Sequence, residues 1–252
     1  VNAILRKVEK QDYKDLNNIE NPIEKISKLY SMPIWLLEEL LKDYSIQEVE
    51  DICKYSNTKP KTTIRINLLK ITKKEFIEKL NERDIQYEET EISNFLNIKN
   101  VKNIGEIDLF KEGLFTVQDI GAGKIGIMLE PEPNEIILDA CSAPGGKTTQ
   151  IAELMGNIGQ ITACDIHENR IKLVDENAKR LQISIINTDV KDACILEESY
   201  IEKFDRVLID VPCLGFGVIK RKPDIKWQRK KEDIESIRKI QLNILRNCIK
   251  YL

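Results

Sequence analysis

The chain has 252 residues, 42% of them hydrophobic, with 39 basic and 42 acidic side chains and a formal net charge of −3. This length exceeds one ordinary domain, the composition excludes a disordered polymer, and the charge argues against a global attraction to nucleic acid. No apolar run approaches the ~20 residues of a membrane span, no signal-peptide pattern opens the chain, and six scattered cysteines with a single histidine match neither zinc spacing nor a disulfide framework, so free thiols in a reducing cytoplasm and no metal are expected.

The sequence begins at Val1 rather than Met, which reads as a processed, trimmed or incomplete N-terminus, and VNAILRKVEK reads as the last turns of a helix. Pro22 starts a new segment. Helical spacing of Ile23, Ile26, Leu29 and Tyr30 predicts one helix, and Trp35, Leu36, Leu37, Leu40 and Leu41 predict a second. A short third helix is expected over 47–54. From Thr62 the β-branched alternation TTIRINLL predicts a strand, followed by a helix over 73–83 and a strand over 85–91. Apolar pieces near 96–101 and 113–117 would complete a small sheet, so 22–120 reads as an α+β module, with 1–21 a separate segment before it.

From Glu135 the rhythm becomes strand, helix, strand, helix. EIILDA, GQITACD, ISIINTD and FDRVLID predict four strands, with helices over 148–154 and 168–181 between the first three. A last helix is expected at about 232–252, with Ile234, Ile237, Ile240, Ile244, Leu245, Cys248 and Ile249 as its apolar stripe. Alternation at this spacing predicts an α/β fold, a Rossmann-like parallel sheet over 121–252 with helices on both faces. A sheet that stops on a helix after strand four is expected to be incomplete at its C-terminal end.

Asp139, Asp165, Asp189 and Asp210 sit at the carboxyl ends of the four predicted strands, where open α/β sheets bind ligands. Between Asp139 and the next helix lies Cys141-Ser142-Ala143-Pro144-Gly145-Gly146-Lys147. Adjacent glycines let backbone approach a ligand closely, and the helix N-terminus that follows favours an anionic group. Gly146-Lys147-Thr148 matches the end of a phosphate loop, but that motif needs glycine at 141, where this chain has cysteine. Asp165 stands where a nucleoside-binding fold places the acid that holds ribose hydroxyls. A nucleoside bearing an amino acid, such as S-adenosylmethionine, fits both features.

DACSAPGGKTTQIAELM, ACDIHENRI, NTDV and LIDVPCLGFG together resemble consecutive motifs of the Sun/Nop-type RNA (cytosine-5) methyltransferases. FTVQDIGA at 115–122 is similar to that family's junction between its small domain and its catalytic one. The VNAILRK start is similar to the final helix of the NusB-like RNA-binding domain that precedes these enzymes. The resemblance implies a Rossmann-like S-adenosylmethionine methyltransferase sheet preceded by a small α+β RNA-binding-like domain. It further implies that residues 141–147 wrap the methionine part of S-adenosylmethionine, that Asp165 binds the ribose, and that Asp189 lies beside the adenine. Asp210 would stand where cofactor and target cytosine meet. Arg170 either orients Asp165 or is an ordinary surface arginine.

Asp210-Val211-Pro212-Cys213 bears on the reaction type. Carbon C5 of cytosine is a poor nucleophile until a thiolate has added to C6, so a cysteine here favours carbon methylation over methylation of an exocyclic amine. The resemblance gives Cys213 the release of the methylated base and places the attacking cysteine in a later Thr-Cys motif, expected after Leu252. Residues 220–231 carry seven basic side chains and one acidic, a local charge of +6 that leaves −9 for the rest. Lys220, Arg221, Lys222 and Trp227 are therefore candidate RNA contacts, through phosphate neutralisation and base stacking. The reading is a monomeric enzyme on ribosomal RNA, 16S by resemblance. Its rivals are a non-catalytic RNA-binding assembly module and a phosphate-loop ATPase.

Overall fold

The computed structural model describes residues 16–252 except Lys102. The helix expected in the first ten residues lies outside the described residues. Three helices come first: α1 (Pro22–Tyr30), α2 (Ile34–Leu40) and α3 (Ile46–Ser56). A small sheet follows, with β1 (Thr62–Ile66), α4 (Lys73–Asn81), β2 (Tyr87–Glu89), β3 (Phe95–Ile98), the short α5 (Asp108–Lys111) and β4 (Phe115–Val117). After α6 (Ile120–Met128) come β5 (Ile136–Asp139), α7 (Gly146–Leu154), β6 (Gln160–Asp165), α8 (Glu168–Leu181), β7 (Ile186–Val190) and β8 (Arg206–Leu208). The short α9 (Ile225–Gln228) and the long α10 (Asp233–Cys248) end the chain.

Local chemistry accounts for the boundaries. Asn21 accepts the amides of Ile23 and Glu24 at 2.9 and 3.2 Å while Pro22 opens α1, and Ser31 leaves the helix at φ 52°. Capping boxes, Ser45 with Glu48 and Thr72 with Glu75, start α3 and α4.

Packing groups the chain into two units. The described residues up to Pro60 group with Leu214–Glu235, and Lys61–Cys213 groups with Ser236–Leu252. The expected 22–120 module is divided by this grouping, since its helices and its sheet fall in different units. In the first unit, Ile26, Met32, Leu36, Leu37, Val49 and Cys53 form the core, with Phe216 packed on it. Trp35 and Phe216 meet at 5.9 Å between ring centroids.

The second unit holds both sheets. The small one is antiparallel, in the order β2-β3-β1-β4, over a core of Ile64, Ile66, Phe76, Leu80, Leu96, Leu109 and Phe115. The larger one is parallel, in the order β7-β6-β5-β8. Alternation sorts its faces: Ile137 and Ile161 pack under α7 and α8 with Ile151, Met155 and Leu181, whereas Leu138 and Cys164 face Ile244, Cys248 and Tyr251. The fold is thus an open parallel α/β sheet with a small antiparallel α+β sheet before it, in agreement with the α/β reading.

The last helix departs from expectation. Ile244 and Cys248 are buried, but Ile240, Leu245 and Ile249 are exposed, because a helix resting on one sheet face covers a narrower stripe than its apolar residues occupy. No helix among the described residues is long and apolar enough to cross a membrane.

Candidate cofactor and target-base site

The site grows out of the carboxyl end of the parallel sheet. Asp139 ends β5 and is fully buried, and its Oδ2 accepts the Thr148 hydroxyl at 2.7 Å, tying the strand end to the first turn of α7. Burial pushes its carboxyl up to about 7, against the opposing Thr148 hydrogen bond. Its Oδ1 is buried without a hydrogen-bond partner among the described residues.

The loop 141–147 is held by one residue of β6 and two of α8. Ser142 donates its amide (2.7 Å) and its hydroxyl (3.0 Å) to the Cys164 carbonyl on β6. Asn177 donates to the Pro144 carbonyl at 3.0 Å, and Arg170 donates to the Ala143 carbonyl at 2.7 Å. Ser142 and Ala143 are buried, and Cys141 is half-buried. Gly145 adopts φ +96°, and a Cβ there would stand 3.1 Å from Val174 Cα, so glycine is needed both for the turn and for the approach of α8. A Cβ on Gly146 would meet no atom within 4 Å, so open space lies beside the first turn of α7.

Asp165, at the end of β6, is 4% exposed. Its Oδ1 accepts the His167 amide at 3.0 Å, and its Oδ2 lies 3.3 Å from Arg170. One guanidinium therefore clamps Asp165 to the loop at Ala143, and of the two readings of Arg170 the orienting one matches the geometry. Asp189, near the end of β7, is half exposed and takes the Tyr200 hydroxyl at 3.4 Å, with Lys191 at 3.6 Å.

Asp210 follows β8 by two residues and is reached by Lys147, Nζ to Oδ2 at 2.5 Å. The loop and the Asp210-Val211-Pro212-Cys213 segment are thereby joined through one ion pair. Gln241 on α10 donates to the Pro212 carbonyl at 2.9 Å and fixes the segment from behind. Cys213 is the exposed cysteine of the six. Burial pushes the Cys141 and Cys164 thiols up to about 12 and that of Cys248 to about 11, leaving them un-ionised and unreactive near neutrality.

The basic run lies in the first unit, and its residues differ in exposure. Trp227 is 59% exposed on α9, and Lys222 and Arg221 are exposed. Lys220 lies over the Tyr55 ring at 3.6 Å. Lys226 is buried, 3.5 Å from both the Tyr30 carbonyl and Asn57 Oδ1, and Lys231 pairs with Glu39 at 2.9 Å. Lys220, Lys226, Lys231 and Arg229, whose Nε donates to the Leu214 carbonyl at 3.1 Å, thus all have partners within the unit. Among the described residues no cluster of His, Cys, Asp and Glu could hold a metal ion.

Residues that sequence reasoning missed stand behind the loop: Arg65 of β1, fully buried, and Glu153 of α7. Arg65 alternates with Ile64 and Ile66, a pattern that reads as a solvent-facing strand position, so the sequence carried no signal for it.

Residues 126–252 match the family described as 16S rRNA methyltransferase RsmB/F, and residues 32–101 match the RsmF/B-like ferredoxin-like domain. The chain is 37% identical over 248 residues to the Bacillus subtilis (strain 168) protein named "Probable ribosomal RNA small subunit methyltransferase B", covering 98% of this chain and 55% of that one. It is 34% identical over 254 residues to ribosomal RNA small subunit methyltransferase B of Shewanella oneidensis, covering 100% and 57%. The crystal structure of PH0851 superposes with a TM-score of 0.88 at 33% identity, over 96% of this chain and 54% of that one. The chain spans about half the length of the curated relatives it matches.

Proposed function

The chain belongs to the 16S rRNA methyltransferase RsmB/F family, and from that membership we propose that it carries the S-adenosylmethionine site and part of the target-base site of an RNA (cytosine-5) methyltransferase acting in the cytoplasm on 16S ribosomal RNA. The observation that carries the reading is one connected set of residues. Arg170 joins loop 141–147 to Asp165, and Lys147 joins the same loop to Asp210, three residues before the exposed Cys213.

The residues present fit the cofactor. Asp165 is a buried carboxylate with lone pairs left for ribose hydroxyls, Gly146 leaves open space at a helix N-terminus suited to a carboxylate, and Asp139 keeps an unpartnered buried oxygen beside it. Residues 141–147 would hold the methionine part, Asp165 the ribose, and Asp189 the adenine edge. Bound there, S-adenosylmethionine supplies an electrophilic methyl group. Asp210, oriented by Lys147, would accept hydrogen bonds from the cytosine and polarise its ring. C5 becomes nucleophilic once a thiolate has added to C6, and after methylation the C5 proton leaves to a base and the thiolate is expelled. Cys213 takes part in that release. None of the six cysteines is proposed as the thiolate that adds. Lys220, Arg221, Lys222 and Trp227 would contact RNA, and the active species is a monomer.

Calorimetry tests the reading. S-adenosylmethionine should bind the chain, Asp165→Ala should abolish binding without lowering Tm by more than a few degrees, and Mg-ATP should not compete. A chain that binds Mg-ATP but not S-adenosylmethionine overturns the assignment.

A further inference from the structure

Arg65 belongs to the small antiparallel sheet, yet its side chain leaves that sheet's core and reaches α7. The guanidinium is completely buried. Nε and Nη2 hold the two oxygens of Glu153 at 2.9 Å each. Nη1 donates to the Gly146 carbonyl at 2.9 Å and to Gln118 Oε1, and Nη2 also donates to the Thr149 hydroxyl oxygen at 3.0 Å. That hydroxyl in turn donates to the Gly145 carbonyl at 2.8 Å. Both glycines of the turn are therefore held, one directly and one through Thr149, by a residue from another sheet.

A link between two layers does not require this arrangement. A buried ion pair gives about the same stability as apolar side chains of equal volume, so the pair with Glu153 does not by itself explain an arginine. What an apolar pair cannot do is donate to backbone carbonyls at fixed angles. The planar fork of arginine can do so while remaining bidentate on a carboxylate, and a lysine ammonium cannot.

We infer that Arg65 is a positioning residue for the Gly145-Gly146-Lys147 turn, through which the ferredoxin-like sheet sets the affinity of the site for the amino-acid end of its cofactor. The inference rests on the assignment of 141–147 to the methionine part of S-adenosylmethionine. Its distinguishing consequence is a division between ligands. A molecule that fills only the nucleoside part of the site uses Asp165 and Asp189 and is indifferent to the turn.

Calorimetry on the 252-residue chain with S-adenosylmethionine and with 5′-methylthioadenosine, which keeps the nucleoside and lacks the amino-acid end, reads this division. Arg65→Lys keeps a cation opposite Glu153 and is expected to weaken S-adenosylmethionine about tenfold or more while leaving 5′-methylthioadenosine unchanged, the loss of one charge-assisted hydrogen bond. Should Arg65→Lys fail to fold, Arg65→Met/Glu153→Met removes both charges together and carries the same expectation. A folded variant that binds both ligands as the native chain does, or loses both equally, overturns the inference and leaves the cofactor assignment standing. A native chain that binds neither ligand overturns the cofactor assignment and the inference with it.

Discussion

Asp139 is the residue at which the site and the stability of the fold compete. Its ordinary carboxylate range is near 4, and burial raises it to about 7. Between those values the folded chain holds a proton that the unfolded chain has released, so stability falls as pH rises through that window and levels off above it. Asp139→Asn removes the titrating group and keeps an acceptor for Thr148. The variant is expected to gain Tm over the native chain by several degrees more at pH 8 than at pH 5, which paired thermal melts would show. An equal difference at both pH values would place the titration elsewhere. The neighbouring residues differ in how far they could be read from sequence. Asp165 and the glycine turn were legible, because a strand-end acid and paired glycines are local patterns. The clamp through Arg170 was legible only as one of two readings, since an arginine on a helix surface takes its partner from whatever loop packs beside it.

At the scale of elements, periodicity carried most of the information. Ile171, Val174, Ala178 and Leu181 all point into the core, as their spacing requires, and the strand–helix alternation placed every strand of the parallel sheet. The helix α6 was not among the expected elements, and Gly121, Gly123 and Gly126 lower its intrinsic helix propensity. Two of them are there for contact: a Cβ on Gly123 would come within 2.4 Å of the Phe95 ring, and one on Gly126 within 2.5 Å of Gln150. Helix propensity was given up for close packing, which only the assembled fold reveals. The small sheet depends on its aromatic centre, where Phe115 meets Phe76 at 5.8 Å and Phe110 at 5.5 Å between centroids. Phe115→Ala should cost ~3–5 kcal/mol, whereas Thr72→Ala, which removes only the exposed capping box of α4, should cost ~1 kcal/mol. Denaturant melts of the two variants would check the ratio, and comparable losses would contradict this account of the core.

For the whole molecule, charge is distributed against its average. A chain of net −3 carries +6 within 220–231, and that segment groups with the N-terminal helices although more than 150 residues separate them. Lys226 and Lys231 are used inside that unit, so the electrostatic footprint offered to a polyanion is smaller than the count of seven. Binding of single-stranded RNA should weaken with salt at a log–log slope of about −0.7 per phosphate contacted, and Arg221→Ala with Lys222→Ala should lower both affinity and slope. A titration in which both survive would reduce the segment to ordinary surface.

The sequence by itself determined the order of strands and helices, the glycine loop, the four strand-end aspartates and the family to which these motifs belong. Each of these is written in neighbouring residues and needs no knowledge of what packs against them. Only the tertiary structure decided which charges are buried: Arg65 against Glu153, Lys226 beneath Tyr30 and Asn57, and Asp139 beneath the loop. Burial is set by surfaces brought together from distant parts of the chain. It turns an arginine in an alternating strand into a hydrogen-bond donor to the Gly145-Gly146 turn region, and a lysine of a basic run into a buried side chain.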